Sequence, residues 1–192
     1  MGRLNLLKGA YFGKVGETVG SKWKNLSTVR TYSKPSNPNT DAQQEVRSVF
    51  ASMTAFVALF ADQIKYLSAL DTSGMSVRNA IIKANKEQIA SGTFTASTLA
   101  ISKGSLPKPT GVAESSGTVT WTAPTATNIT ANCKAVIVAV DATNKQSEVK
   151  TALASAATAT LTTVTSPDHI YVYFLDTHGT TKVASASTYL AG

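Results

Sequence analysis

Apolar residues recur three and four apart over one long stretch of the chain and at closer spacing elsewhere. From Asp41 to about Leu70 they are Val46, Val49, Phe50, Met53, Phe56, Val57, Phe60, Ile64 and Leu67. That stripe predicts an amphipathic helix. Thr40-Asp41-Ala42-Gln43 opens it as a capping box, with Asp41 favoured in the first turn. Asp71–Gly74 breaks it. A second helix is expected from about Ser76 to Ala90 through Val77, Ile81, Ala84 and Ile89, with Gly92 as its stop. So short a loop pairs the two helices antiparallel. The face of Phe50, Phe56 and Phe60, with Met53 and Ile64, needs a cover, and the second helix is expected to supply much of it.

The flanks read as strands. Ahead of the helices, Gly9, Gly13, Gly16 and Gly20 punctuate a stretch rich in Lys, Thr and Val. There Val15, Val19 and Trp23 fall on one face of an extended chain, and Thr18, Lys22 and Lys24 on the other. Asn25-Leu26-Ser27 turns and Thr28–Ser33 returns, which makes a hairpin. A lone hairpin is marginal in water, so this one must dock on its own domain or on another subunit. After the helices, Thr93–Leu106 is extended, and Pro107-Lys108-Pro109 marks a domain edge. Beyond it lie short strand candidates at Gly111–Glu114, Thr118–Thr122, Lys134–Asp141, Ser147–Thr151, Ala157–Thr162, His169–Leu175 and Lys182–Ser187. Turn formers separate them, and so many short strands in about eighty residues suit a β-sandwich. The expected class is therefore α+β: a β-hairpin and helical hairpin over residues 1–106, then an immunoglobulin-like sandwich over 107–192.

Composition sharpens this. Charged residues make up only 15% of the 192, against about 25% in an average soluble domain. The net charge of +7 is uneven: residues 1–50 hold eight Lys/Arg and three Asp/Glu, whereas 106–192 hold five of each. An anionic partner is therefore to be sought in the N-terminal half. The single Cys133 forms no internal disulfide and lies beside an apolar run, as a small buried residue would. No apolar run reaches the roughly 18 residues of a membrane span. The first residues lack the pattern of a secretory signal or of myristoylation. The expected place is the cytoplasm, unless the chain leaves in a particle.

Catalytic patterns fail one by one. The two histidines, His169 and His178, would sit about 30 Å apart at the ends of one strand, too far to share a metal. Neither has a Ser or Cys neighbour suited to a relay. Gly9–Lys22 has the look of a phosphate loop, but Lys8 stands where a glycine is required and Val15 follows Lys14. Ser21-Lys22-Trp23-Lys24 and Ser147-Glu148-Val149-Lys150 fit a Ser-x-x-Lys pattern without companion motifs. No enzyme, no cofactor and no metal is expected.

The N-terminal cations and rings remain. Lys14, Lys22, Lys24, Arg30 and Lys34 interleave with Tyr11, Phe12, Trp23 and Tyr32. Basic side chains beside stacking rings suit single-stranded nucleic acid. The reading preferred over that one is that Trp23 packs on the long helix while the lysines are solvated, and a third is that the basic face docks on an acidic protein lattice. Lys14, Lys22, Trp23, Lys24, Arg30, Tyr32 and Lys34 are thus the candidate contacts for assembly or nucleic acid.

Two resemblances add expectations. Pro107–Gly111, the segment Val119-Thr120-Trp121-Thr122-Ala123-Pro124, the approach through Leu161 and Val164 to Tyr171-Val172-Tyr173, and Gly179–Ser187 resemble a fibronectin type III domain. The whole chain is similar to an uncharacterised family from Bacteroidetes and their phages. That similarity rests on Gly13-Lys14-Val15-Gly16 with Trp23-Lys24 and Val29-Arg30, on Asn37–Phe50 with Gln43, Gln44 and Arg47, and on the terminal Ser185–Gly192. It departs from that family in the short tract between Pro35 and Asp41 and in its few C-terminal charges. The similarity implies a structural virion protein of a bacteriophage, a capsid or tail accessory subunit whose sandwich projects. Its partners would be copies of itself, as a homo-oligomer, and other structural proteins of the particle. Nucleic-acid binding through the hairpin and a surface adhesion or filament module are the other readings.

Overall fold

Apolar side chains at every position, instead of every second one, mark the centre of the structure. In the computed structural model, which describes residues 3–5, 10–23, 26–34, 36, 39–70, 72, 74–125, 129–178 and 181–192, strand β7 (Lys134–Asp141) is buried from Ala135 to Val140. It pairs antiparallel with β8 (Gln146–Leu153) on one side and β10 (His169–His178) on the other. The far edge of β10 is shared by two short strands. β11 (Thr181–Ala184) pairs with the Leu175–His178 end, and β12 (Thr188–Ala191) with the His169–Val172 end.

Both faces of this five-stranded sheet are covered, which is why its central strands read as continuous apolar runs. Val136, Val138 and Val140 with Tyr171, Tyr173 and Leu175 face one core. Ala135, Ile137 and Ala139 with Ile170, Val172 and Phe174 face another. The second core is closed by a three-stranded antiparallel sheet of β5 (Ala113–Ser115), β6 (Thr118–Thr120) and β9 (Thr158–Thr160). Trp121, just beyond β6, is buried there, and its indole N–H donates to the carbonyl of Ala154 at 2.9 Å. The helices close the first core. They are α1 (Asp41–Ala58), α2 (Val77–Ala84) and α3 (Lys86–Ala90). The chain is thus a mixed α+β protein with several antiparallel sheets.

Helix α1 begins at Asp41 as the sequence predicts, but it ends at Ala58 instead of near Leu70. The backbone continues in irregular turns through Leu67 that keep Phe60, Ala61 and Ile64 buried. The N–H groups of Leu59 and Phe60 turn to the carbonyls of Phe56 and Val57, three residues back, and a tertiary bond accompanies the change. The Ser147 hydroxyl donates to the carbonyl of Leu59 at 2.6 Å, a carbonyl that a continuing helix would offer to Gln63. The Gln63 amide N–H turns to Phe60 O, and its side chain reaches back to Ser147. The predicted second helix is split at Asn85. That buried side chain donates to the carbonyls of Ile81 and Ala100 and accepts from the N–H of Ala100 at 2.8 Å. It fastens the strand-like segment carrying Leu99 and Ile101 to the helical layer.

Residues 1–40 and 41–192 form two compact units. The sequence placed its boundary at 106/107, with the helices in the leading domain. The helices share a core with β7 and β10, so the division falls ahead of α1. Phe56 and Phe60 lie against Tyr171 of β10, and Val77, Ile81 and Ile82 of the second helix belong to the same core. Phe50 and Val46 do not belong to that core and are exposed.

The leading unit is a four-stranded antiparallel sheet, not a hairpin. Its strands β1 (Arg3–Asn5), β2 (Ala10–Val15), β3 (Thr18–Trp23) and β4 (Leu26–Thr31) lie side by side in chain order. The sequence treated 15–23 as one extended run. Instead Gly16-Glu17 joins the pair Val15↔Thr18, and Gly16, at φ +59°, takes the left-handed conformation that a tight hairpin needs at its first position. That turn moves Val15 and Val19 to opposite faces. The return strand starts at Leu26, paired with Trp23.

Candidate functional site

The candidate residues all belong to the leading sheet or its flank, and the register sorts them by face. Cross-strand partners share a face in an antiparallel sheet. Lys14, Val19 and Arg30 make one row, and Ser21 pairs with Thr28 on the same side, their hydroxyls 2.8 Å apart. On the opposite side Val15, Thr18 and Thr31 make one row and Gly13, Gly20 and Val29 the next, with Lys22 opposite Ser27. Lys14 and Lys22 therefore do not act from one face. The Lys14 ammonium stands 3.7 Å from the centre of the Tyr32 ring, an intramolecular cation–π contact. The Tyr32 backbone N–H donates to Glu17 O at 2.6 Å. Lys22, Arg30, Tyr32 and Lys34 are exposed. Lys24, the Trp23 side chain and the burial of Tyr11 lie outside the described residues.

What sequence reasoning missed here is the apolar content of the surface. Val15 is 51% exposed, Val29 60% and Leu26 62%. Among the residues of 1–40 whose burial is described, 12–22, 26–34, 36, 39 and 40, Gly20 is the only buried one. The signal was available. Val15-Gly16-Glu17-Thr18 places a glycine between two strand formers, and reading it as a turn puts Val15 on the side of Val29. The charge is as one-sided as the burial: residues 1–40 hold seven Lys/Arg and one acid, Glu17, so they carry +6 of the total +7.

The rest of the molecule offers buried polar groups that are committed to structure. Burial alone would push the Glu148 carboxyl up, but the N–H groups of Val164, Thr163 and Thr162 and the Thr162 hydroxyl outweigh it and hold it at about 2. Those donors lie 2.6–2.9 Å away, so the carboxylate ties the 162–164 loop to β8. Asp176 accepts from the N–H and hydroxyl of Thr130. Cys133 is pushed up to about 11 by burial and then by the Asp176 charge, so it is a protonated thiol at neutral pH. His169 contacts the Tyr189 hydroxyl at 3.0 Å within an aromatic group of Phe56, Tyr171 and Tyr189. Both histidines lie on β10, at its two ends. Among the described residues no three His, Cys, Asp or Glu side chains converge to hold a metal. A cleft of about 550 Å³ between the turns after α1 and the start of α2 is lined by Asp62, Lys65, Tyr66 and Arg78. No described helix is long and apolar enough to cross a membrane.

Fold and surface together define a mixed α+β protein whose body has two filled cores and whose leading sheet is basic and exposes Val15, Leu26 and Val29. The chain belongs to a family of unknown function, DUF6266, whose model matches residues 10–191, so β2–β4 of the leading sheet and the body are matched together. No curated protein and no solved structure matches it.

Proposed function

We propose that the protein is a non-enzymatic assembly subunit, and within that class a structural component of a bacteriophage virion, a capsid or tail accessory protein. One observation carries the reading: a four-stranded sheet in which Gly20 is the only described buried residue while three aliphatic side chains stand in solvent. Sheets in water gain independent stability from an apolar face that is covered. A neighbouring subunit supplies that cover. The resemblance of both ends of the chain to phage-associated proteins narrows the assembly to a virion.

The body fits a fibronectin type III-like reading. Counting β5, β6, β7, β8, β9, β10 and β11 as seven successive strands, the first, second and fifth share one sheet and the others share the second. Immunoglobulin-like domains that carry a C′ strand partition their strands in this way. Trp121 following the second strand occupies the inter-sheet core, as the resemblance implies.

Electron microscopy of purified particles, labelled with antibody against the protein, tests the assignment. The expected result is label at regular positions on the particle, together with slow amide exchange of residues 12–33 in the particle and fast exchange in the free chain. A free monomer, absent from particles and already protected over those residues, overturns it. Nucleic-acid binding is favoured by one observation, the +6 charge of residues 1–40. A steep salt dependence of oligonucleotide binding, relaxed by about one unit of slope when Lys22 becomes Ala, is its signature.

A further inference from the structure

The two faces of the leading sheet differ, and the difference selects a partner. One face aligns Lys14 and Arg30 across Val19, and Leu26 shares that side. The other sets Val15 and Val29, exposed by 51% and 60%, on either side of β3 with Lys22 beside them. We propose that the Val15/Val29 face docks on an acidic protein surface that presents apolar side chains of its own at the contact. This deepens the assembly reading and rests on it.

Charge and apolar surface argue jointly. A unit carrying +6 attracts a surface rich in Asp and Glu and repels a second copy of itself, which sets aside sheet-on-sheet pairing of identical chains. Nucleic acid would answer the charge but not the valines, because phosphates and sugars gain little from aliphatic contact. Bases need open ring faces for stacking. Among the described side chains of the unit, Tyr32 is the exposed ring, and the Lys14 ammonium occupies one of its faces at 3.7 Å. An acidic protein patch with an apolar centre satisfies both demands: carboxylates around the rim meet Lys22 and its neighbours, and the centre removes Val15 and Val29 from water.

The test uses the full chain and three probes: a glutamate–tyrosine copolymer, poly-glutamate and single-stranded oligothymidylate, compared by fluorescence anisotropy at physiological salt. The copolymer is expected to bind about tenfold more tightly than poly-glutamate, since covering two half-exposed valines is worth about that factor. The Val15→Ser/Val29→Ser variant is expected to abolish the advantage without changing the salt slope, and Val15→Leu/Val29→Leu to enlarge it. A melting midpoint within about 4 °C of the native one in both variants separates loss of contact from loss of fold. Oligothymidylate bound as tightly as the copolymer overturns the proposal in favour of nucleic acid. A concentration-dependent dimer lost in the Ser variant overturns it in favour of self-association. No binding to any probe, or an advantage that survives the Ser variant, also overturns it. All of these leave the docking sheet itself standing, which fails separately if residues 12–33 are protected from exchange in the isolated monomer.

Discussion

The sheet around β7 and β10 and the sheet of β1–β4 are both antiparallel and both laddered by backbone hydrogen bonds, yet their side chains live under opposite rules. From Ile170 to Leu175 every side chain of β10 is buried, alternately given to the helical core and to the core of the small sheet. In the leading sheet the ladder is as regular, but Val15, Leu26 and Val29 face water. Hydrogen bonds to peptide groups replace equivalent bonds to water and contribute little net stability. Covered apolar area is what makes one sheet the centre of a fold and leaves the other seeking a surface. Stability and docking are thus assigned to different regions, and mutations in the two should behave differently.

The largest effect is expected at Phe60. Its side chain is fully buried, meets Phe56 edge-on at 5.9 Å between ring centres, and lies 6.3 Å from Tyr171 on β10. Phe60→Ala should cost about 3–5 kcal/mol, read from the denaturant midpoint, because a ring-sized cavity opens between helix layer and sheet. A loss under about 1 kcal/mol, the range of a surface change, would show that the helices do not share the body's core.

Glu148 gives a smaller, pH-dependent effect. Glu148→Gln replaces a carboxylate that receives several N–H and hydroxyl donors by an amide whose own NH₂ faces some of them, a loss of about 1–3 kcal/mol at neutral pH. The sign with pH follows from the lowered folded value, from 4.5 to about 2. Between those values the unfolded chain binds the proton and the folded one does not, so stability rises with pH across the window and is lost as pH falls through about 2. Denaturant midpoints between pH 2 and 5 should slope upward more steeply in the native chain than in the Gln variant. Parallel slopes would remove Glu148 from the account of acid stability.

Much of the body was legible because its signals are local. Lys134–Asp141 is read to the residue, since six apolar positions, Ala135–Val140, end at charged residues on both sides. Asp41 marks a helix start as the acid of the first turn, and Ser76 marks the other as a cap whose Oγ accepts from the Asn79 N–H. What escaped depends on distant partners. Nothing near Leu59 says that Ser147 will take its carbonyl, and nothing near Asn85 says that Ala100 will lie opposite. The domain boundary was missed for a different reason. A strand apolar at every position must be covered on both faces, and β7 carried that message about where the helices go. β12 escaped because Thr-Tyr-Leu-Ala is short and is held by distant partners, the ladder with β10 and the bond from the Thr188 hydroxyl to Pro109 O. In the leading unit Gly16 falls inside what the sequence presents as one extended run, whereas it belongs to the turn between two strands.

The smallest effect is expected where the leading sheet is most apolar. Val15→Ser and Val29→Ser each replace a side chain more than half exposed by a polar one of smaller volume. Little contact is lost in the free chain, and the strand preference given up is a fraction of a kcal/mol. The double variant should therefore unfold within about 0.5 kcal/mol of the native chain at each site, with a melting midpoint moved by less than about 4 °C. Calorimetry checks this directly. A drop comparable to that of Phe60→Ala would mean that these valines already have a core in the isolated chain. The contrast between a filled sheet and an unfilled one would then disappear, and with it the reason to look for a neighbour.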